Sequence, residues 1–344
     1  MKKELQGPPN PKNRRGFTRR EFFYCALGGG ALAAASLYLG PRIFRKRWRE
    51  SAFIAKVKDY HADIAGAIAS GFRELGVLPG EIRGKRILLK PNLVETDAGA
   101  IHINTHPAVV YGAAQAFLRM GAEKIIVAEG PGHCTDTLLV LEESGMAEML
   151  WSERIPFVDL NYQQGYATPN VGKYSALGQL VFPETLRQVD WVVSLAKMKT
   201  HHWAGVTLSM KNLFGVMPGL YYGWPKNVLH VAGIQACILD IVSTLRPQFA
   251  IVDGIVGMEG DGPVMGTPKP AGVLVMGRNL PAVDATCARI MGIDPHRVPY
   301  LAEAARKIGP VYAADIRQSG ESIASVQTDF ELLDKIQAHR GLRL

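Results

Sequence analysis

From Lys85 onward the chain repeats one pattern. A short, continuously apolar run bounded by turn residues is followed by a segment whose apolar side chains recur at three- and four-residue spacing. The spacing predicts strands at Lys85–Pro91, Lys124–Ala128, Pro156–Leu160, Val189–Leu195, Gln248–Val252 and Gly272–Met276, and helices at His106–Met120, Leu138–Leu150, Val228–Leu245 and Ala282–Met291. Strands that are apolar at consecutive positions have both faces buried, so helices must cover the sheet on each side. The expected fold is therefore α/β, a mostly parallel sheet with helices on both faces. One large domain over residues 51–344 suffices, with room for an inserted subdomain between 160 and 225 and a hairpin or meander through Tyr174–Phe182.

The net charge of +8 is unevenly placed. Residues 1–50 hold twelve Lys or Arg against three Glu, net +9, so the other 294 residues carry −1. The body lacks the basic footprint of a nucleic-acid binder, and no nucleic-acid partner is expected. The tail reads as an address. Arg19 and Arg20, in Thr18-Arg-Arg-Glu-Phe-Phe-Tyr24, precede a moderately apolar run from Cys25 to Gly40 diluted by Gly28, Gly29 and Gly30. That is the layout of a twin-arginine export signal, which makes the twin-arginine translocation machinery a partner. The body is then expected in the periplasm or anchored at the outer face of the cytoplasmic membrane. Whether the signal is cleaved stays open. Ala33-Ala-Ala35 resembles a cleavage site, yet Phe22–Leu39 has roughly the length needed to span a bilayer as a membrane anchor.

The four cysteines, at 25, 134, 237 and 287, are dispersed and contain no Cys-x-x-Cys. No iron–sulfur cluster is expected within this chain alone. The phosphate-loop, nucleophile-elbow, His-Glu-x-x-His and calcium-loop signatures are also missing from the sequence.

Open α/β sheets bind ligands beyond the carboxyl ends of their strands. That rule selects the loops 90–106, 129–136, 196–219, 253–268 and 277–284. If the strand before Ser194 continues, Lys197, Lys199 and His201 share one face, because strand side chains alternate. Lys211 and Asn212 return nearby, and the group suits an anionic small molecule or cofactor. Lys90 and Asn92 flank Pro91 at another strand end and join the same set. His106, before Pro107, reads as a base, a metal ligand or a helix cap. Glu129, in Glu-Gly-Pro-Gly-His133, reads as a general base or carboxylate ligand. Asp253, Glu259 and Asp261 place three carboxylates in one glycine-rich loop. Asp253 is a candidate acid–base group, while Glu259 and Asp261 are candidate ligands of a hard metal ion. Asp284 reads as a helix N-cap.

Taken in order, Lys90-Pro-Asn-Leu-Val94, Thr105-His-Pro107, Glu129-Gly-Pro131, Lys197-Met-Lys-Thr-His201, Ser209-Met-Lys-Asn-Leu-Phe-Gly215, Asp253-Gly-Ile-Val-Gly257 and Ala282-Val-Asp-Ala285 resemble the family called domain of unknown function 362. The resemblance runs from about residue 85 to 295. It implies an α/β domain and the same strand-end loops, but no reaction. Members are often described as iron–sulfur proteins because some add a ferredoxin-like segment with clustered cysteines. This chain departs from that pattern. Two functions remain open: an exported enzyme using His106, His201, Glu129 and Asp253 with an anionic ligand and a metal, or a non-catalytic ligand-binding or redox-partner protein at the membrane surface.

Overall fold

In the computed structural model, which describes residues 49–96, 99–132 and 136–344, the apolar run before Pro91 is a strand whose alternate residues face two different cores. Leu88 packs with one cluster and Ile87 and Leu89 with the other. The other central strands divide the same way. Val192 and Ala196 point to the first core, while Val193 and Leu195 point to the second. Two buried faces explain why these runs lack polar alternation.

The strands are β1 (Glu50–Lys56), β2 (Arg86–Pro91), β3 (Lys124–Glu129), β4 (Phe157–Asp159), β5 (Gly165–Pro169), β6 (Gln179–Pro183), β7 (Trp191–His201), β8 (Gly205–Thr207), β9 (Phe249–Glu259), β10 (Thr267–Gly277) and β11 (Ile316–Gly320). The main sheet has the order β11-β1-β10-β9-β7-β2-β3-β4, with β8 folded back against β7. Along that order only β10 runs against its neighbours, so the sheet is mostly parallel, as expected. Helices α1 (Ile64–Glu74) and α2 (Pro107–Arg119) cover one face through Ile68, Phe72, Val109 and Phe117. Helices α3 (Ser209–Asn212), α4 (Ile234–Leu245) and α5 (Leu280–Ile290) cover the other.

The predicted helices survive with two breaks. The stretch Leu138–Leu150 is two helices, Thr137–Glu143 and Met146–Ser152, separated by Gly145 at φ 70°. Val228–Leu245 breaks at Gly233, whose φ of 104° is outside the range of ordinary side chains. The expected hairpin is β5 with β6, a separate two-stranded sheet that begins earlier than Tyr174 and whose Leu180 and Phe182 reach the main core. The export signal or anchor expected before Pro41, its Cys25, and His133 with Cys134 lie outside the described residues. Cys237 and Cys287 are buried free thiols. No helix among the described residues is long and apolar enough to cross a membrane.

Chain order changes direction at β2. The path runs outward through β3 and β4, then returns to place β7 on the opposite side of β2. Such a switch point leaves a crevice at the carboxyl ends of the strands.

Candidate functional site

A cavity of about 350 Å³ lies at that switch point. The ends of β2, β3 and β7 supply Lys90, Glu129, Lys199 and His201 to its lining, and α3 and the turn before Asn227 add Lys211 and Lys226.

Its floor is a buried ion pair. Lys90 Nζ donates to Glu129 Oε2 at 2.5 Å, to Asn212 Oδ1 at 3.0 Å and to the Pro91 carbonyl at 2.9 Å. All three ammonium donors are therefore used inside the fold. Glu129 also accepts from the amides of Leu93 and Gly130. Asn212 returns its Nδ2 to the Lys90 carbonyl and to Ser194 Oγ. Burial pulls the Lys90 amine below its ordinary range, and the Glu129 charge opposes that shift. A Cβ on Gly215 would meet Glu129 Oε1 at 1.8 Å, so the pair requires glycine there.

Above the floor the charges are unbalanced. Lys199 Nζ donates to the carbonyls of Ile103 and Pro263, and Lys226 Nζ to Asn161 Oδ1 and the Met217 carbonyl. When protonated, each keeps one donor for a ligand. Lys211 has no hydrogen bond or ion pair among the described residues, and its Nζ sits 4.1 Å above the Phe214 ring. Burial, with Lys90 adding repulsion, brings Lys211 down to about 7; burial brings Lys226 to about 7 as well. Burial and then Lys197, Lys211 and Lys90 hold Lys199 well below the usual lysine value. His201 Nδ1 accepts from the amides of Trp203 and Ala204, which leaves the proton of the neutral ring on Nε2. Burial keeps that ring neutral, and Lys211 reinforces the shift. Asn92 completes the lining: its Oδ1 is buried with no partner. The arrangement offers several cationic donors, one buried acceptor and the face of Phe214 to a small anion.

The remaining expected site residues gather elsewhere. Lys197 does not join Lys199. It donates to Asp253 Oδ2 at 2.8 Å and to Tyr60 Oη at 2.9 Å, and the Asp253 carboxylate also accepts from Tyr60 Oη and the His106 amide. His106 caps α2, its Nδ1 accepting from the Ala108 amide, and its ring stacks on Tyr60 at 3.7 Å. Burial lowers its pKa to about 4, so it is a neutral acceptor with Nδ1 already engaged. None of Lys197, Asp253 or His106 lines the cavity.

The glycine-rich segment at Asp253 is strand and not loop through Glu259. Its glycines answer to packing: a Cβ on Gly254 would lie 2.8 Å from Met198 Cε, and one on Gly257 2.7 Å from the Met198 carbonyl. Glu259 pairs with Lys269 and accepts from the Glu331 amide, while Asp261 lies 3.8 Å from His202 Nδ1. The three carboxylates do not converge, and among the described residues no three His, Cys, Asp or Glu side chains are grouped to hold a metal.

Asp284 is not an N-cap of its own helix, which Asn279 caps. It lies inside α5 and accepts from the Ser209 amide, Ser209 Oγ and the Met210 amide, so it caps α3 from another element. Burial pushes its carboxyl up to about 7 against the pull of those bonds. Asp284 therefore fixes the helix that carries Lys211 and Asn212. Sequence reasoning missed Lys226, Asn161 and Tyr60. The only local signal for Lys226 is the Gly-Trp-Pro-Lys turn, where it adopts φ 69°.

The family described as Domain of unknown function (DUF362) matches residues 87–289. The thylakoid-associated protein sll1697 of Synechocystis sp. (strain ATCC 27184 / PCC 6803 / Kazusa) is 30% identical over 225 residues, 64% of this chain and 67% of that protein. Two solved structures align at TM-score 0.40. One is a protein from Thermotoga maritima, 11% identical, with 68% of this chain and 59% of that one covered. The other is the lactate racemase apoprotein from Thermoanaerobacterium thermosaccharolyticum, 14% identical, with 71% and 58% covered. The alignment spans less than two thirds of either solved chain.

Proposed function

The chain belongs to the domain of unknown function 362 family, and we propose that it is an exported enzyme that binds a small anionic molecule in the switch-point cavity and acts on it by proton transfer. One observation carries this reading: Lys199, Lys211 and Lys226 line one cavity beside one carboxylate among the described residues, Glu129, which Lys90 already neutralises. An excess of ammonium groups, with Lys199 and Lys226 buried and Lys211 half-buried, is costly unless an anion completes it. Lys211 and Lys226, both near neutral in pKa, suit donation and removal of protons at working pH. His201 would supply an Nε2–H donor, and Asn92 Oδ1 an acceptor for a ligand hydroxyl or amine.

The twin-arginine pair Arg19-Arg20 would carry the folded protein across the membrane. The Synechocystis relative, named for thylakoid association, supports a place at a membrane surface. Replacing both arginines by lysine should trap the protein in the cytoplasm; unchanged export would remove this part of the proposal.

Titration of the full-length protein with oxalate and with inorganic phosphate, followed by calorimetry, tests the site. Lys226→Met should weaken anion binding by roughly tenfold or more, the usual value of a charge-assisted bond. If neither anion binds the wild type, or Lys226→Met binds as tightly, the anion-site reading fails.

A further inference from the structure

We propose that Lys211 is a nucleophile that forms a Schiff base with the carbonyl carbon of a small oxo acid whose carboxylate is held by Lys199 and Lys226. This rests on the anion-site reading and narrows it to a substrate class and a covalent step.

The argument is one of hydrogen-bond accounting. An amine attacks only through a free lone pair, and acceptors that bind an ammonium keep it protonated. Lys90 gives three bonds, Lys199 two and Lys226 two, all to oxygen atoms of the fold. Three donated bonds hold Lys90 as a cation, and two N–H groups each tie the Lys199 and Lys226 nitrogens to the fold. Lys211 gives none among the described residues, and its Nζ lies over the face of Phe214. It projects from α3, which Asp284 anchors at the Ser209 and Met210 amides, so the amine is carried on a fixed backbone. Cationic neighbours and an apolar wall are the surroundings that favour a neutral, nucleophilic lysine. At a pKa of about 7, roughly half of Lys211 is free amine at neutral pH, on the order of a thousandfold more than for an ordinary lysine.

The step balances as follows. The Nζ lone pair forms a bond to the carbonyl carbon, and the carbonyl π pair moves to its oxygen. That oxygen takes one proton to give the carbinolamine hydroxyl and a second to leave as water while the C=N bond forms. One proton comes from the attacking nitrogen and the other from a neighbouring ammonium, while the neutral His201 ring can only donate an Nε2–H hydrogen bond to that oxygen. The orphaned Asn92 Oδ1 can accept from the carbinolamine hydroxyl, and the Phe214 face suits the iminium cation. Neither oxidant nor metal is needed for the balance. The iminium then withdraws electrons from the adjacent carbon, which favours loss of a proton there.

The test is reductive trapping. Full-length protein is incubated with glyoxylate, pyruvate or 2-oxoglutarate and cyanoborohydride, then digested and mapped by mass spectrometry. With at least one of the three, the expected result is a single reduced adduct on Lys211, suppressed by excess oxalate and lost in Lys211→Arg and Lys211→Met. Its rate should rise with pH through about 7. Folding of both variants is checked by their denaturation midpoints, and the site assignment itself comes from the wild type. Adduct spread over surface lysines, adduct insensitive to oxalate, or no adduct in a wild type that binds oxalate overturns the Schiff base and leaves the anion site standing. Absence of both oxalate binding and adduct overturns both readings.

Discussion

Replacing Glu129 by Gln isolates what the floor of the cavity contributes. Glu129 and Lys90 are each 1% exposed and 2.5 Å apart. Gln keeps the volume and one acceptor, but leaves the Lys90 ammonium buried without its counter-charge. It also turns an NH2 toward one of the Leu93 and Gly130 amides that the carboxylate had accepted. Removing one partner of a buried pair costs about 3–5 kcal/mol, a large part of a total stability of about 5–15 kcal/mol. The loss should shrink with pH. Burial already holds Lys90 below its unfolded value, and without Glu129 it falls further. A base whose folded pKa is depressed gains stability as pH rises toward the unfolded pKa, near 10.4. Urea denaturation at pH 7 and pH 9 measures both the loss and its relief. The double variant Lys90→Met with Glu129→Leu should be less destabilised than the sum of its single changes, because no orphaned charge remains. A Glu129→Gln protein within 1 kcal/mol of wild type at pH 7, or a double variant that is simply additive, would refute the assignment of this pair as a charge held only by its partner.

Other outcomes follow from the same geometry. Asp284, pushed up to about 7 from an ordinary value of 3.8, keeps a proton in the fold that the unfolded chain releases. Its contribution is therefore complete below pH 4 and is lost as pH rises through about 7; Asp284→Asn should flatten this segment of the stability–pH curve, and an unchanged slope in urea midpoints would count against it. His106→Ala should cost about 1–2 kcal/mol through the lost cap and the lost stack on Tyr60, with oxalate affinity unmoved in calorimetry; a tenfold loss of affinity would place His106 in the site after all. Oxalate affinity should fall as pH rises through about 7, by up to roughly tenfold per unit for each of Lys211 and Lys226 that deprotonates. A flat calorimetric profile between pH 6 and 9 would refute their role as the cations of the site.

The layering was legible because it depends on local pattern alone. Ile87-Leu-Leu89 and Val192-Val-Ser-Leu195 can be buried on both faces only inside a covered sheet. What stayed hidden were the strands whose patterns are weak or whose ends run on. β11 at the edge carries Arg317, Gln318 and Ser319 and has no apolar run, while β1 offers only the four residues Ala52–Ala55 between Ser51 and Lys56. The strand ends of β7 and β9 read as loops because they contain lysines, glycines and acids, yet every residue from Trp191 to His201 is buried. Helix α3 was obscure for a different reason. Its N-terminal cap comes from Asp284, 75 positions later, so no capping residue stands before Ser209 to announce it.

The division of the lysines shows where period-two reasoning stops. It placed Lys197, Lys199 and His201 on one face, which treats β7 as if it were alone. The neighbour decides. In the pairing with β9, Lys197 lies opposite Asp253, whereas Lys199 lies opposite Met258. Two steps along β7 thus match five along β9, and the extra residues are accommodated by Gly254 and Gly257 against Met198. Had the register continued evenly, Lys199 would face Ile255, and Glu259 would fall farther along the strand. Either way no carboxylate stands beside it. The irregularity instead carries β9 past the strand end, where Pro263 supplies a carbonyl to Lys199 without neutralising it. One lysine is consumed by a cross-strand ion pair and the next is left without a counter-charge at a cavity wall. That difference is set by register between segments 56 residues apart, and no spacing within Lys197–His201 can encode it.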